Sequence, residues 1–160
     1  MDMNELTLDG FEAIWARVQG AEPAALPLPE SDTEAVLLRL LEQEAESAVF
    51  ERELACRCPG MEALYRDTCR RFQCLRALWF LRTGERFTLE RRCCTLRGAL
   101  LQDLRKDFLA VTERSENYAA AGEKTADPML RETYAELAEK TSGHAGRLLS
   151  ILRRVLDTGR

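Results

Sequence analysis

The sequence has one histidine, only 7% aromatic residues and few β-branched side chains. Those scarcities argue against sheet, and abundant Leu, Ala, Glu and Arg argue for helices, so the chain reads as all-α. No apolar run approaches the ~20 residues of a membrane span, and no membrane role is expected. The first thirty residues lack the basic start and apolar core of a signal peptide. They carry Asp2, Glu5, Asp9, Glu12, Glu22 and Glu30 instead, and the expected location is cytoplasmic. None of the six cysteines falls in a Cys-x2-Cys pair, so the usual zinc-knuckle spacing is missing.

What remains is 160 residues, enough for one domain with a sizeable core. Residues 1–30 read as a preface: a short helix over 8–18, ended by Gly20, then a linker marked by Pro23, Pro27 and Pro29. Residues 31–158 read as a bundle of four long helices. Ser31-Asp32-Thr33-Glu34 fits a capping box for the first helix, and Pro59-Gly60 stops it near residue 57. Its expected inward seam is Val36, Leu40, Gln43, Ser47, Phe50, Leu54. The second helix, from about 61 to 82, offers Leu64, Thr68, Arg71 or Phe72, Leu75 and Trp79. Residues 84–95 show no clean helical period and, if extended, cross roughly 40 Å from one end of a bundle to the other. The third helix, 96–121, offers Leu100, Leu104, Phe108 or Asp107, Val111, Ser115 and Tyr118. Asp127-Pro128 then opens the fourth as N-cap and first helical position.

The fourth helix has the clearest stripe: Leu130, Tyr134, Leu137, Thr141, His144, Leu148, Ile151 and Val155 follow steps of four and three without a skip. Thr141 and His144 interrupt it at i, i+3. Thr68 and Arg71 do the same in the second helix, within a matching frame of leucines. A buried guanidinium requires carboxylates, so Arg71 either pairs inside with Glu44 or a third-helix carboxylate, or snorkels outward beside Arg70. His144 reads either as a core histidine bonded to Thr141 or a backbone carbonyl, or as a metal ligand.

Charge is unevenly spread. Residues 1–65 hold 14 acidic and four basic side chains, residues 66–106 four acidic and 11 basic. Oppositely charged neighbouring helices within one fold account for this, and nucleic-acid binding is not expected.

Two helix pairs, each ending in the same pattern and joined by one long connection, give the layout of a ferritin-like bundle. The segments "LLRLLEQEAESAVFERELA", "CLRALWFLRTGERF" and "DPMLRETYAELAEKTSGHAGRLLSIL" resemble the ferritin-like, rubrerythrin-related family of small bacterial proteins, over about residues 8–158. That resemblance implies a di-metal centre: one Glu from each of the first and third helices, and Glu-x-x-His from each of the second and fourth. Carried onto this chain, the ligand positions hold Gln43, Thr68, Arg71, Val111, Thr141 and His144, of which only His144 is a family ligand. The expectation is a degenerate ferritin-like protein without a competent di-iron centre or cofactor, acting as a structural or protein-interaction module, with a protein partner or a second copy as the occupant. The alternative is a metal or redox protein holding iron or zinc near His144, or at a thiol cluster of Cys56, Cys58, Cys93 and Cys94.

Overall fold

The computed structural model describes residues 30–89 and 98–158. Four helices account for nearly all of them: α1 (Glu30–Ala55), α2 (Met61–Thr83), α3 (Leu100–Lys124) and α4 (Pro128–Thr158). Among the described residues there is no strand, and no helix is long and apolar enough to cross a membrane. The expected short helix over 8–18 and the linker after it lie outside the described residues, as does the Ser31 side chain of the expected capping box.

Local chemistry sets the boundaries. Gly60, at φ 97°, takes the left-handed conformation that lets the chain turn from α1 into α2, and Gly84, at φ 72°, closes α2 with its N–H on the Phe80 carbonyl. A Cβ on Gly60 would be strained in that conformation and would stand 3.3 Å from Arg154 Nη2. Gly60→Ala is therefore expected to cost about 1–2 kcal/mol, read as a lower midpoint in urea unfolding with unchanged slope. Asp127 caps α4 as anticipated, its Oδ1 accepting from the backbone N–H of Met129 (2.9 Å) and Leu130 (3.3 Å), with Pro128 at the first helical position.

Helix α1 packs on α2, and α3 on α4, as two antiparallel hairpins. The hairpins meet through α1 against α3 and α2 against α4. Bonds from Arg57 to Asp103, Asn117 to Gln43 and Tyr118 to Glu44 run in opposite senses along α1 and α3, and Arg71–His144 and Arg82–Asp127 do so along α2 and α4. Every neighbouring pair is thus antiparallel, while α2 and α3 are parallel and diagonal. The connection between them therefore begins at one end of the bundle and finishes at the other. Phe87, early in it, packs edge-on against Phe72 at 5.9 Å.

The interior has three layers. At one end Leu37, Leu40, Leu41, Leu75, Leu78, Leu130 and Tyr134 pack together, and at the other Leu54, Met61, Leu64, Leu104, Leu148 and Ile151. Between them lies a buried polar layer containing Glu44, Ser47, Glu51, Thr68, Arg71, Asp107, Arg114, Thr141 and His144. The apolar ends hold the four helices together, and the charges between them are largely withdrawn from water and depend on one another.

The stripe of α4 is buried as read, save that Leu152 joins it and Val155 is only half-covered. The seam of α1 is corrected by one residue. It is Leu37, Leu40, Glu44, Ser47, Glu51 and Leu54, with Gln43, Val36 and Phe50 half-buried at its edge. In α3, Asp107 turns inward and not Phe108, and the expected Ser115 is corrected to Arg114; in α2, Leu78 turns inward in place of Trp79.

Candidate functional site

The polar layer is built around Arg71. Its neighbours at i−3 and i+4, Thr68 and Leu75, share its face, and all three are buried. Its Nε donates to Glu44 Oε1 at 2.9 Å, and its Nη2 to Thr68 Oγ1 at 2.7 Å. Nη1 and Nη2 stand 3.3 and 3.4 Å from His144 Nδ1. With Arg71 at 3% exposure and Glu44 at 0%, the inward pairing is what this side chain adopts, not the outward one. Burial works against the Arg71 charge, but the Glu44 and Glu51 carboxylates outweigh it and raise its pKa. Tyr118 donates to the same Glu44 oxygen at 2.8 Å, and burial, followed by the nearby Glu44 charge, pushes its phenol well above the usual range.

His144 is fully buried, but its partners are not those anticipated. Thr141 donates its hydroxyl to the Leu137 carbonyl of its own helix at 2.7 Å, leaving the imidazole between Arg71 on one edge and Glu51 on the other. His144 Nε2 lies 3.2 Å from Glu51 Oε1, at an angle that makes no hydrogen bond. Ser47 donates to that Glu51 oxygen at 3.1 Å. Burial would raise the Glu51 carboxyl; contacts with His144 and Thr68 and the Arg114 charge overcome it and hold the group below its ordinary value.

Asp107 and Arg114 complete the layer from α3, two turns apart. Arg114 lies 3.7 Å from Glu51 and 3.8 Å from Glu44, too far for hydrogen bonds, and its Nε and Nη2 have no partner. Asp107 Oδ2 and Glu51 Oε2 are likewise buried and unpartnered. Burial first, and then the Glu51 charge, push Asp107 up to about 8, Arg114 and Arg71 only partly opposing them. One ligand atom from each of Glu51, Asp107 and His144 lies within 4.8 Å of the other two. A cleft of about 400 Å³ opens between α1 and α3 over this region, lined by Gln43, Ser47, Phe50, Leu89, Asp107 and Arg114 among others.

The remaining sequence candidates fall as follows. Gln43 lines the cleft, where its Oε1 accepts from Asn117 at 3.4 Å; Glu44 holds the inward position. Val111 is buried among apolar neighbours. Cys56 is exposed, whereas Cys58 is buried with its thiol toward the Pro59 carbonyl, and burial raises its pKa, which disfavours the thiolate. Cys93 and Cys94 lie outside the described residues. Sequence reasoning missed Glu51 and Arg114. The signal for Glu51 was available: a guanidinium read as buried calls for a search of carboxylates at i, i+3, i+4 and i+7 on the facing helix, and Glu44 and Glu51 are seven apart.

The ferritin-like two-metal arrangement does not fit these residues. On the resemblance, Thr68 and Arg71 would fall where a carboxylate and an imidazole are needed, and the guanidinium contacts both Glu44 and His144. A fixed cation there repels a divalent ion and occupies the lone pairs that would bind it. No known protein family, curated protein or solved structure gives a match to the chain.

Proposed function

We propose that this protein is a degenerate ferritin-like bundle, its two-metal centre replaced by an internal ion-pair network, and that it works as a structural or protein-interaction module. The observation that carries the reading is the Arg71 guanidinium, buried at the bundle's midpoint and bonded to Glu44 and Thr68. A permanent cation on α2 does for α1 what a metal ion does in the resembled family: it neutralises a buried carboxylate and ties two helices together. The antiparallel hairpins and the crossover between them support the ferritin-like layout. Phe80, Leu81 and Met129 are exposed where the end of α2 meets the start of α4, and they support an interaction role for that end.

The test is metal analysis of the full chain, purified without chelator and then supplied with ferrous iron under air. The expected result is fewer than two irons per chain and no ferrous oxidation above the rate of buffer. Two tightly held irons per chain, or catalysed oxidation, would overturn the proposal.

A further inference from the structure

The polar layer balances its charges without any outside ion. The carboxylates of Glu44 and Glu51 stand against the guanidiniums of Arg71 and Arg114. With the Arg71 guanidinium on Nδ1, the His144 ring carries its proton on Nε2, toward Glu51. Burial first, and the Glu51 charge second, push the Asp107 carboxyl up to about 8, which keeps it largely neutral near pH ~7. A cation or an anion added here would have no countercharge. The hydrogen bonding, by contrast, is incomplete. Asp107 Oδ2 and Arg114 Nε and Nη2 have no hydrogen-bond partner, although the two residues are only 2% and 5% exposed. Both side chains line the cleft of about 400 Å³ between α1 and α3. Buried polar groups are nearly always paired, so an unmet acceptor and two unmet donors at one cleft call for a guest.

We propose that the α1–α3 cleft binds an uncharged apolar molecule through a carboxamide group, with Arg114 and Asp107 as its polar contacts. An amide matches both: its C=O accepts from the Arg114 guanidinium, and its N–H donates to Asp107 Oδ2. Its apolar body meets Val49 and Phe50 of α1 and Ala110 of α3. The volume is that of a small-molecule site, and apolar walls around a few polar groups are the usual build of one. Charge selects against the ionic relatives of an amide. A carboxylate would face Glu51 below and Glu46 and Glu113 at the lining, and an amidinium would face the Arg114 guanidinium. The orphan atoms are sealed from water as the layer stands. Phe50, half-buried with the Lys106 ammonium 5.4 Å from its ring centre, is the side chain that turns aside to admit the guest. The site rests on the cleft and its two unmet side chains, not on the ferritin-like reading.

The experiment is titration of the full-length protein with benzamide, followed by NMR of the ligand, with benzoate and benzamidinium as charged analogues of the same shape. It is repeated on Ala110→Phe, Asp107→Leu and Asp107→Asn, each verified as folded by circular dichroism. Ala110 is exposed, so phenylalanine there fills the cleft without entering the core. The expected result is one benzamide per chain with a Kd of ~1 mM or tighter, and both charged analogues at least about 10-fold weaker. Ala110→Phe and Asp107→Leu should each weaken benzamide by at least about 10-fold, whereas Asp107→Asn keeps an acceptor oxygen and should stay within about threefold of the parent. No saturable binding up to ~10 mM, a charged analogue bound as tightly as benzamide, or unchanged affinity in folded Ala110→Phe or Asp107→Leu would each overturn the site. So would loss of binding in folded Asp107→Asn. Iron uptake tests the function proposed above and benzamide binding tests this site, so the two failures are distinguishable.

Discussion

Arg71→Leu is expected to lower stability by about 3–5 kcal/mol, the range for breaking a buried ion pair by removing one member. For a chain of this length that corresponds to a fall in Tm of roughly 6–20 °C. The loss does not come from the missing arginine contacts alone. It comes from Glu44, which is 0% exposed and would keep only the Tyr118 hydroxyl and an arginine 3.8 Å away. The double variant Glu44→Leu/Arg71→Leu removes both charges and restores apolar packing, so it should recover most of the loss. Thermal unfolding of the three proteins gives the coupling directly. A single variant within about 2 °C of the parent would mean that the guanidinium does not staple the bundle. A double variant no better than the single would mean that the loss lies in packing and not in the stranded carboxylate.

Asp107→Asn should act in the opposite direction, and its effect should depend on pH. In the folded protein the Asp107 carboxyl is pushed up to about 8, by burial first and by the Glu51 charge second, with Arg114 and Arg71 only partly offsetting them. In the unfolded chain the same group titrates near ~3.9. Between those values the native state holds a proton that the unfolded state has released. Stability therefore falls as pH rises through the window, and the full cost persists above about 8. Asparagine has nothing to ionise and about the same shape. Measured with chelator present, the variant should match the parent near pH ~4 and exceed it increasingly toward pH ~8, by an amount on the order of a few kcal/mol. Glu51, Arg71 and Arg114 face Asp107 and His144 stands in the same cluster, so the pH-dependent gap reports the removal of this one carboxyl together with its effect on Glu51. A gap that stays constant with pH would show that Asp107 is not held protonated.

Much of the candidate site was legible, but unevenly so. His144, Thr141, Thr68 and Arg71 stand out because each interrupts an otherwise apolar helical stripe, and a stripe with flanking leucines has only one register. Helix α1 is different. Its segment from residue 36 to 54 contains apolar residues compatible with two registers, Val36–Gln43–Phe50 and Leu37–Glu44–Glu51. Hydrophobicity favours the first, because it turns an aromatic side chain inward and two carboxylates outward. The chain takes the second because the carboxylates meet guanidiniums from α2 and α3, and the exchange is worth more than burying Phe50, which stays half-covered beneath Lys106. Helix α3 shows the same choice, with Asp107 and Arg114 preferred over Phe108 and Ser115.

By itself the sequence determined the four helices, the stops at Pro59-Gly60 and Asp127-Pro128, and the polar interruptions in the seams of α1, α2 and α4. These are matters of backbone conformation and of a 3.6-residue period, which act within a few residues along the chain. Only the tertiary structure decided which face of α1 and α3 turns inward, and hence that Glu44 answers Arg71 and that Glu51, Asp107 and His144 converge. That choice depends on charges brought together across more than ninety residues of chain, where the energy of a buried carboxylate is set by what faces it and not by its neighbours in sequence.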